Sequence, residues 1–477
     1  MKREDFIAQL SEPWDVAIIG GGATGLGSAV DAASRGLKVV LLEQGDFAQA
    51  TSSRSTKLIH GGVRYLKQGN LALVRDALHE RGLLLRNAPH LVHPLPFVIP
   101  AYATGERFFY GAGLKAYDLL AGKLGIAPSR TLSREETFAR LPGIRPEGLR
   151  GGVLYHDAQF DDSGLAISLA RTLALLGGAP INYLKVVALE KGGLRALDLE
   201  SEREHEIRAK VVINATGVFA DEIRRLDEPA CEPMLAPSQG AHLVLPREFL
   251  PGEHALMIPK TDDGRVLFAI PWFGRVLLGT TDTPVDRPLL EPAPLESEVE
   301  FLLHHAKRYL LRPLERADVQ SMFAGLRPLV KRSAALKTSA LSRDHVIRVS
   351  SQGLVTITGG KWTTYRRMGE DAVNAALKVA ELPLHPSRTE HLELVKPDAE
   401  SDPILRAIRS EMARTVEDVL ARRTRTLFLD ARGSITQSPQ VAVILAAELG
   451  RDDAWKAQQV QSFQDLADRY LPASGRS

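Results

Sequence analysis

"WDVAIIGGGATGLGSAVDAASRGLKVVLLEQGD", Trp14 to Asp46, decides the fold. Val16 to Ile19 is an unbroken apolar run, as expected of a strand buried on both faces. Gly25 to Ser34 is rich in Ala and other small residues, which predicts a helix packed close to a sheet, and Gly36 ends it. Val39 to Leu42 is a second apolar strand, and Glu43 follows it. The sum is a β-α-β unit. Its glycines read Gly20-x-Gly22-x-x-Gly25. Gly20 permits the tight turn, Gly22 lets a pyrophosphate approach the backbone, and Gly25 lets helix and strand pack closely. The helix N-terminus then faces the phosphates. Glu43 lies roughly 20 residues on, where a carboxylate accepts hydrogen bonds from ribose hydroxyls. A glycine-rich turn in some other α/β protein would leave Glu43 without a task, so this stretch predicts a dinucleotide site.

The chain has 477 residues, enough for two or three domains. Hydrophobic content of 44% and charged content of 25% are those of a globular protein. A net charge of +2 gives no global footprint for nucleic acid, so any anion site is local. Cys231 is the single cysteine, which excludes an intrachain disulfide and Cys-based zinc or iron–sulfur centres. No metal site is expected. The opening "MKREDFIAQLSEPWD" lacks an apolar core of the secretory kind, and no run reaches the roughly 18 apolar residues of a membrane span.

Two distant stretches bear on which dinucleotide binds. "AKVVINATGVFAD" contains a strand, Val211 to Asn214, running into Ala215-Thr216-Gly217. "GLVTITGGKWTTYRRMGEDAVNAAL" contains another, Val355 to Thr358, then Gly359-Gly360 and a helix. A site assembled from residues near 20, 50, 215 and 360 suits FAD better than NAD, whose domains are normally contiguous. Between them, "GAHLVLPREFL", "HALMIPK" and "RVLFAIPWFGRVLLGTTDTP" alternate as antiparallel strands, with Asp-Gly at the centre of a hairpin turn from Thr261 to Arg265. "ESEVEFLLHHAKRYLL" reads as an amphipathic helix. Past Leu382 a Pro-rich polar stretch predicts a linker, followed by segments of helical period.

With "TSSRSTKLIHGGVRYL", "INATGVFAD", "QGAHLVLP", "IPWFGRVLLGTTD", "GLRPL" and "GGKWTTYRRM", nearly the whole chain resembles the FAD-dependent glycerol-3-phosphate dehydrogenases. The fold implied is α/β: a Rossmann-like, glutathione-reductase-like FAD-binding domain, an inserted antiparallel β-sheet substrate domain of the D-amino-acid-oxidase type, and a small all-α C-terminal domain. The division expected is 1–90, 150–233 and 340–382 for FAD, 91–149 and 234–339 for substrate, and 383–477 for the helical domain. The chemistry implied is oxidation of sn-glycerol 3-phosphate to dihydroxyacetone phosphate, with electrons passed to membrane quinone. The departures are Thr24, where many relatives carry Asn, the added cation Arg54, and a C-terminal portion shorter than in longer members.

The resemblance implies non-covalent FAD held by Gly20, Gly22, Thr24, Gly25, Glu43, Gln44, Thr51, Ser52, Ser53, Thr56, Lys57, Leu58, His60, Gly61, Val186, Ala215, Thr216, Gly217, Gly359, Gly360, Lys361, Trp362, Thr363 and Thr364. The substrate carries a phosphate dianion, and its C2 hydroxyl must lose a proton as hydride leaves. Arg327 could grip phosphate through two parallel hydrogen bonds. Lys361 could reach phosphate and flavin, and Arg64 and Tyr65, after a glycine pair, could close over the substrate. His242 lies on an alternating strand, sharing a face with Val244 while Leu243 and Leu245 face away, and could take the proton. A satisfied core histidine is the alternative, and His60 is a second proton-handling candidate. Thr280, Thr281 and Asp282 could order the substrate or merely cap a turn.

For attachment to a membrane surface, "ERFFYGAGLKAYDLLAGKLG" offers Phe108, Phe109, Leu114 and Leu119 with Arg107, Lys115 and Lys123, although a helix packed on a sheet would look the same. The location expected is cytoplasmic, peripheral on the inner face of the cell membrane; homodimerisation stays open. The competing functions are a glycerol-3-phosphate oxidase producing hydrogen peroxide, an amine or amino-acid oxidase of the same fold, and a flavin-binding scaffold without turnover.

Overall fold

The computed structural model describes residues 1–62, 70–331 and 344–472. Two sheets organise it. In the first, the strands run in the order His345–Val349, Val355–Gly359, Arg203–Asn214, Trp14–Ile19, Val39–Leu42, Ala179–Ile181. The pairs from Val355–Gly359 to Ala179–Ile181 are parallel, and His345–Val349 is antiparallel at the edge. The β-α-β unit is present, its helix spanning Ala23–Ser34. A Cβ on Gly25 would lie 1.8 Å from the Gly20 carbonyl oxygen, so only glycine lets this helix approach the turn. The helix Tyr365–Val379 packs on the same helix, where a Cβ on Gly369 would stand 2.6 Å from the Gly27 carbonyl carbon.

The second sheet runs Thr283–Pro284, Ser238–Pro246, Arg275–Gly279, Leu267–Trp272, Ala255–Ile258, Val92–Ala101, Gly151–Phe160, Leu58–Ile59, with Ser321–Arg327 added to Ser238–Pro246. The turn at Thr261 to Gly264 joins two antiparallel neighbours, as the Asp-Gly signal predicts. Two strands from segments expected to hold FAD add to this sheet. Gly151–Phe160 pairs along its length with Val92–Ala101, and Leu58–Ile59 pairs with Ala158 and Gln159, while Ile59, Ala158 and Phe160 also pack in the first core. The reason is that strand partners are set by long-range register, which a local apolar run does not carry.

The helices Pro403–Glu411, Thr426–Leu429, Ala431–Leu449 and Asp453–Ala467 form the C-terminal region. The expected linker is laid against the first core: Leu394 is buried there, and Ser168 Oγ donates to the Val395 carbonyl at 2.6 Å. Buried Asp46 receives Arg422 at 2.6 Å and Arg423 at 2.8 Å, which pins the helical region to the turn after Glu43.

Candidate active site

A cleft opens at the ends of the parallel strands. Gly20, Gly22 and Thr24 line it at one end with Glu43 and Gln44, then Thr51 and Ser52, Val186, Ala215 to Gly217, and Gly359 to Trp362. Ser52 Oγ accepts from the Ala23 N–H at 3.0 Å, so its hydroxyl sits at the start of the glycine-fingerprint helix. The Glu43 carboxylate is aimed by its backbone neighbours: Gly45 donates at 2.8 Å and Gly21 at 2.6 Å. Burial pushes its pKa up, against those two amides. A long cleft with a fixed carboxylate at one end and a glycine cradle over a helix N-terminus fits a dinucleotide. Gln49, Lys185, Leu290 and Pro328 also line it, and no local signal marks them in the sequence.

Two further cavities continue from the cleft. One shares Thr51, Gly359, Gly360, Lys361 and Trp362 with it and adds His242, Thr363 and Arg327. The other shares Thr56, Leu58, His60 and Arg327 with the first of these and adds Thr280, Thr281, Asp282 and Asp157. The space beyond the cofactor cleft therefore runs from Lys361 past His242 to Arg327.

His242 is buried on Ser238–Pro246, opposite Gly279 on one neighbouring strand and Phe323 on the other. Its ring stacks on Phe323 with centroids 5.0 Å apart, and a Cβ on Gly279 would come within 2.2 Å of it. The expected parity is observed: Val244 joins the core that holds Phe323, and Leu243 and Leu245 join another. His242 Nε2 shares a hydrogen bond with Thr56 Oγ1 at 2.9 Å, and Nδ1 has no hydrogen-bond partner among the described residues. Burial, reinforced by the Lys57 and Arg327 cations, holds its pKa well below the ordinary histidine value, so the ring is neutral at pH 7.

Arg327 ends the strand Ser321–Arg327, and its guanidinium is held by neighbouring groups. It donates to the carbonyls of Thr281 at 2.9 Å and Gln239 at 3.2 Å, and to Thr280 Oγ1 at 3.2 Å, with Asp282 Oδ1 at 3.4 Å. The Thr281 hydroxyl is already committed, donating to Glu298 at 2.7 Å and accepting from the Ala241 N–H at 2.8 Å. Thr281 and Asp282 thus tie Arg327 to the neighbouring strand Ser238–Pro246. Glu298, on Glu296–Lys307, also binds Gln239 at 2.7 Å; in the sequence it is one more acid on an amphipathic helix.

Several predicted cofactor residues lie elsewhere. Lys57 does not line the cleft: its ammonium pairs with buried Asp162 at 2.7 Å and lies over the rings of Trp272, Phe323 and Phe428. A buried ammonium needs a counter-ion, and the nearest carboxylate decides where it turns. Ser53 is buried with its hydroxyl toward the Ala50 carbonyl at 3.4 Å. Gly61 packs on Tyr117 and Leu78, and Thr364 Oγ1 turns back to the Lys361 carbonyl at 3.2 Å. Thr56, Leu58, His60 and Thr363 face the inner cavities. Arg64 and Tyr65 lie outside the described residues. Arg54 is a structural clamp: its guanidinium pairs with Glu291 and reaches the Tyr470 hydroxyl at 3.3 Å, joining the loop to the C-terminal region.

On the helix Glu106–Ala121, Phe108 and Leu119 are 82% and 83% exposed and Phe109 is exposed, but Leu114 is buried at 1% and does not belong to the outer face. No helix among the described residues is long and apolar enough to cross a membrane. Asp262, His304 and His305 bring ligand atoms within 4.8 Å of one another, but Arg308 already pairs with Asp262 at 2.9 Å and none of the three lines these cavities.

Comparison with known proteins bears on this geometry. A family model for FAD dependent oxidoreductases matches residues 15–366, and one for the C-terminal domain of alpha-glycerophosphate oxidase matches 371–456. The chain is 37% identical to the mitochondrial glycerol-3-phosphate dehydrogenase of Macaca fascicularis, over 95% of this chain and 73% of that one. It is 46% identical to the corresponding mitochondrial protein of Arabidopsis thaliana, over 81% of this chain and 64% of that one. Among solved structures it resembles glycerol-3-phosphate dehydrogenase from Bacillus halodurans complexed with FAD, with a TM-score of 0.79 and 27% identity over 98% of this chain and 97% of the other. L-alpha-glycerophosphate oxidase from Mycoplasma pneumoniae shares the fold at a TM-score of 0.61 and 20% identity, over 79% and 97% of the two chains.

Proposed function

Because the chain belongs to the FAD-dependent glycerol-3-phosphate dehydrogenase family, we propose that it oxidises sn-glycerol 3-phosphate to dihydroxyacetone phosphate in glycerol catabolism and passes the electrons to a membrane quinone. The observation that carries the reading is a pre-set Arg327, a neutral buried His242 and Lys361 along one cavity that continues the FAD cleft. FAD, when bound, supplies the hydride acceptor at N5. Arg327 and Lys361 hold the phosphate dianion, and two cations suit it better than the single carboxylate of an amino acid. Thr280, Thr281 and Asp282 keep the Arg327 fork aimed, which lowers the cost of ordering it on binding. His242 takes the proton of the C2 hydroxyl, and Thr56 orients its ring.

Oxygen as acceptor is the second reading, favoured by the C-terminal match to alpha-glycerophosphate oxidase. The experiment is anaerobic mixing of the yellow protein with sn-glycerol 3-phosphate. Bleaching of the flavin band, reversed faster by a soluble quinone than by oxygen, is expected. No bleaching refutes the substrate, and faster recovery with oxygen refutes the quinone.

The exposed apolar side of Glu106–Ala121, with Arg107, Lys115 and Lys123 nearby, supports peripheral attachment at the inner face of the cell membrane. Anionic vesicles should co-sediment the protein, and Phe108→Ser with Leu119→Ser should leave it in the supernatant. Equal sedimentation of the two refutes this surface.

A further inference from the structure

The stretch His60-Gly61-Gly62 borders the inner cavities, and something must fix its backbone. On one side, Thr363 Oγ1 lies 3.4 Å from the His60 N–H. On the other, the Gly61 N–H donates to the Tyr117 hydroxyl oxygen at 2.8 Å. That hydroxyl donates in turn to Asp157, whose two carboxylate oxygens both lie at 3.0 Å. Asp157 is fixed by Arg81, whose guanidinium reaches Oδ1 at 2.6 Å. All three side chains are buried. They come from three elements: Arg81 from the helix Leu71–Asn87, Tyr117 from Glu106–Ala121, and Asp157 from Gly151–Phe160.

We propose that Tyr117 is a positioning residue for the oxidation reaction, its hydroxyl setting the backbone of His60 to Gly62 at the wall of the substrate cavity. A tyrosine here has one proton to give and one acceptor site facing the loop. The Asp157 carboxylate accepts the hydroxyl's hydrogen bond, so the oxygen is left to receive the Gly61 N–H. Burial pushes the Asp157 pKa up, and the Arg81 guanidinium opposes that by favouring the carboxylate. The Tyr117 hydroxyl does not ionise near neutrality, because burial and Asp157 hold its pKa well above 10. Space allows little else: a Cβ on Gly61 would stand 2.6 Å from the Tyr117 oxygen and 2.7 Å from Leu78. Tyr117 touches neither cofactor cleft nor inner cavity, so it acts through the loop.

The proposal rests on the reaction proposed above, and the test separates the two. Flavin reduction by sn-glycerol 3-phosphate is followed in anaerobic stopped flow for the holoenzyme, Tyr117→Phe and Tyr102→Phe. Tyr102→Phe also loses one hydroxyl hydrogen bond, an exposed one to the Arg145 carbonyl at 2.8 Å, but lies off the site. Wild-type bleaching establishes the reaction. Tyr117→Phe should then keep its FAD content and lose roughly 10- to 100-fold in the reduction rate at saturating substrate, since a misplacement of about 1 Å costs on that order. Tyr102→Phe should stay within about twofold. Equal rates for Tyr117→Phe and Tyr102→Phe overturn the proposal, whereas absent wild-type bleaching overturns the reaction. Should Tyr117→Phe fail to fold, hydrogen exchange in the wild-type holoenzyme decides. A strongly protected Gly61 amide is required, and exchange at the rate of an open loop overturns it.

Discussion

Replacing His242 by Gln removes the only titrating atoms that the proposed proton transfer uses and leaves a polar side chain of similar reach. Loss of a positioned general base costs roughly 10²- to 10⁴-fold in rate, which is about 2.7–5.4 kcal/mol of barrier. The packing loss is separate. The Phe323 stack contributes about 0.5–1.5 kcal/mol and the Thr56 hydrogen bond about 0.5–1.5 kcal/mol. Together they lower the melting temperature by a few degrees and leave the FAD content intact. The assay is flavin reduction in anaerobic stopped flow from pH 5 to 9. The neutral ring is the active form, and burial beside two cations holds its pKa well below 6.5. The wild-type rate therefore falls only on acidification below pH 6.5 and is flat above it. The Gln variant should be slow at every pH and lack that limb. A variant within tenfold of wild type, or one that keeps the limb, refutes His242 as the base and turns attention to His60.

Arg327→Lys keeps the charge but not the fork held by Thr281 and Gln239. KM for sn-glycerol 3-phosphate should rise about 10- to 100-fold, or about 1.4–2.8 kcal/mol, while unphosphorylated glycerol is used as poorly as before; an unchanged KM contradicts the phosphate assignment. Asp46→Asn removes the counter-ion that Arg422 and Arg423 share, leaving Arg422 with Asp418 and Glu417 but Arg423 with only Glu411 at 3.7 Å among the described residues. Breaking such a buried pair costs about 3–5 kcal/mol. The melting temperature should fall, and limited proteolysis should cut first between 383 and 402. A melting temperature within a degree of wild type counts against the anchoring role.

The cofactor half of the molecule was legible because its signals are local. The Gly20-x-Gly22-x-x-Gly25 spacing, the apolar run before it and Glu43 after it lie within one β-α-β unit, and the distant strand-glycine turns at Ala215 and Gly359 repeat the same chemistry. The face of His242 was legible for the same reason, since alternation fixes parity without knowledge of partners. Its neighbours were not: Gly279 and Phe323 are set by register across two other strands. Charge pairing was the least legible feature. Lys57 and Arg54 sit in a stretch that reads as anion-binding, yet their counter-ions are Asp162 and Glu291. Sequence gives the charge of such residues but not the distant carboxylate that captures them.

Lys57 still acts on the chemistry, through the field it exerts on His242. Its ammonium lies over the ring of Phe323, on which His242 stacks, and after burial it is the largest influence lowering the histidine's pKa. Lys57→Met removes that cation but leaves Asp162 accepting hydrogen bonds from Ser55 at 2.7 Å and from the Ser163 N–H at 2.8 Å. The field at His242 then becomes less positive, and its protonated form is less disfavoured. The histidine's pKa must rise. The acid limb of flavin reduction must therefore move to higher pH, toward the ordinary histidine value, while the plateau rate above it changes little. The double variant Lys57→Met/Asp162→Asn removes both charges, so its limb must lie below that of the single variant. Stopped-flow pH profiles of the three proteins test this order. A limb that stays at the wild-type position in Lys57→Met, with FAD content unchanged, would show that the limb does not belong to His242.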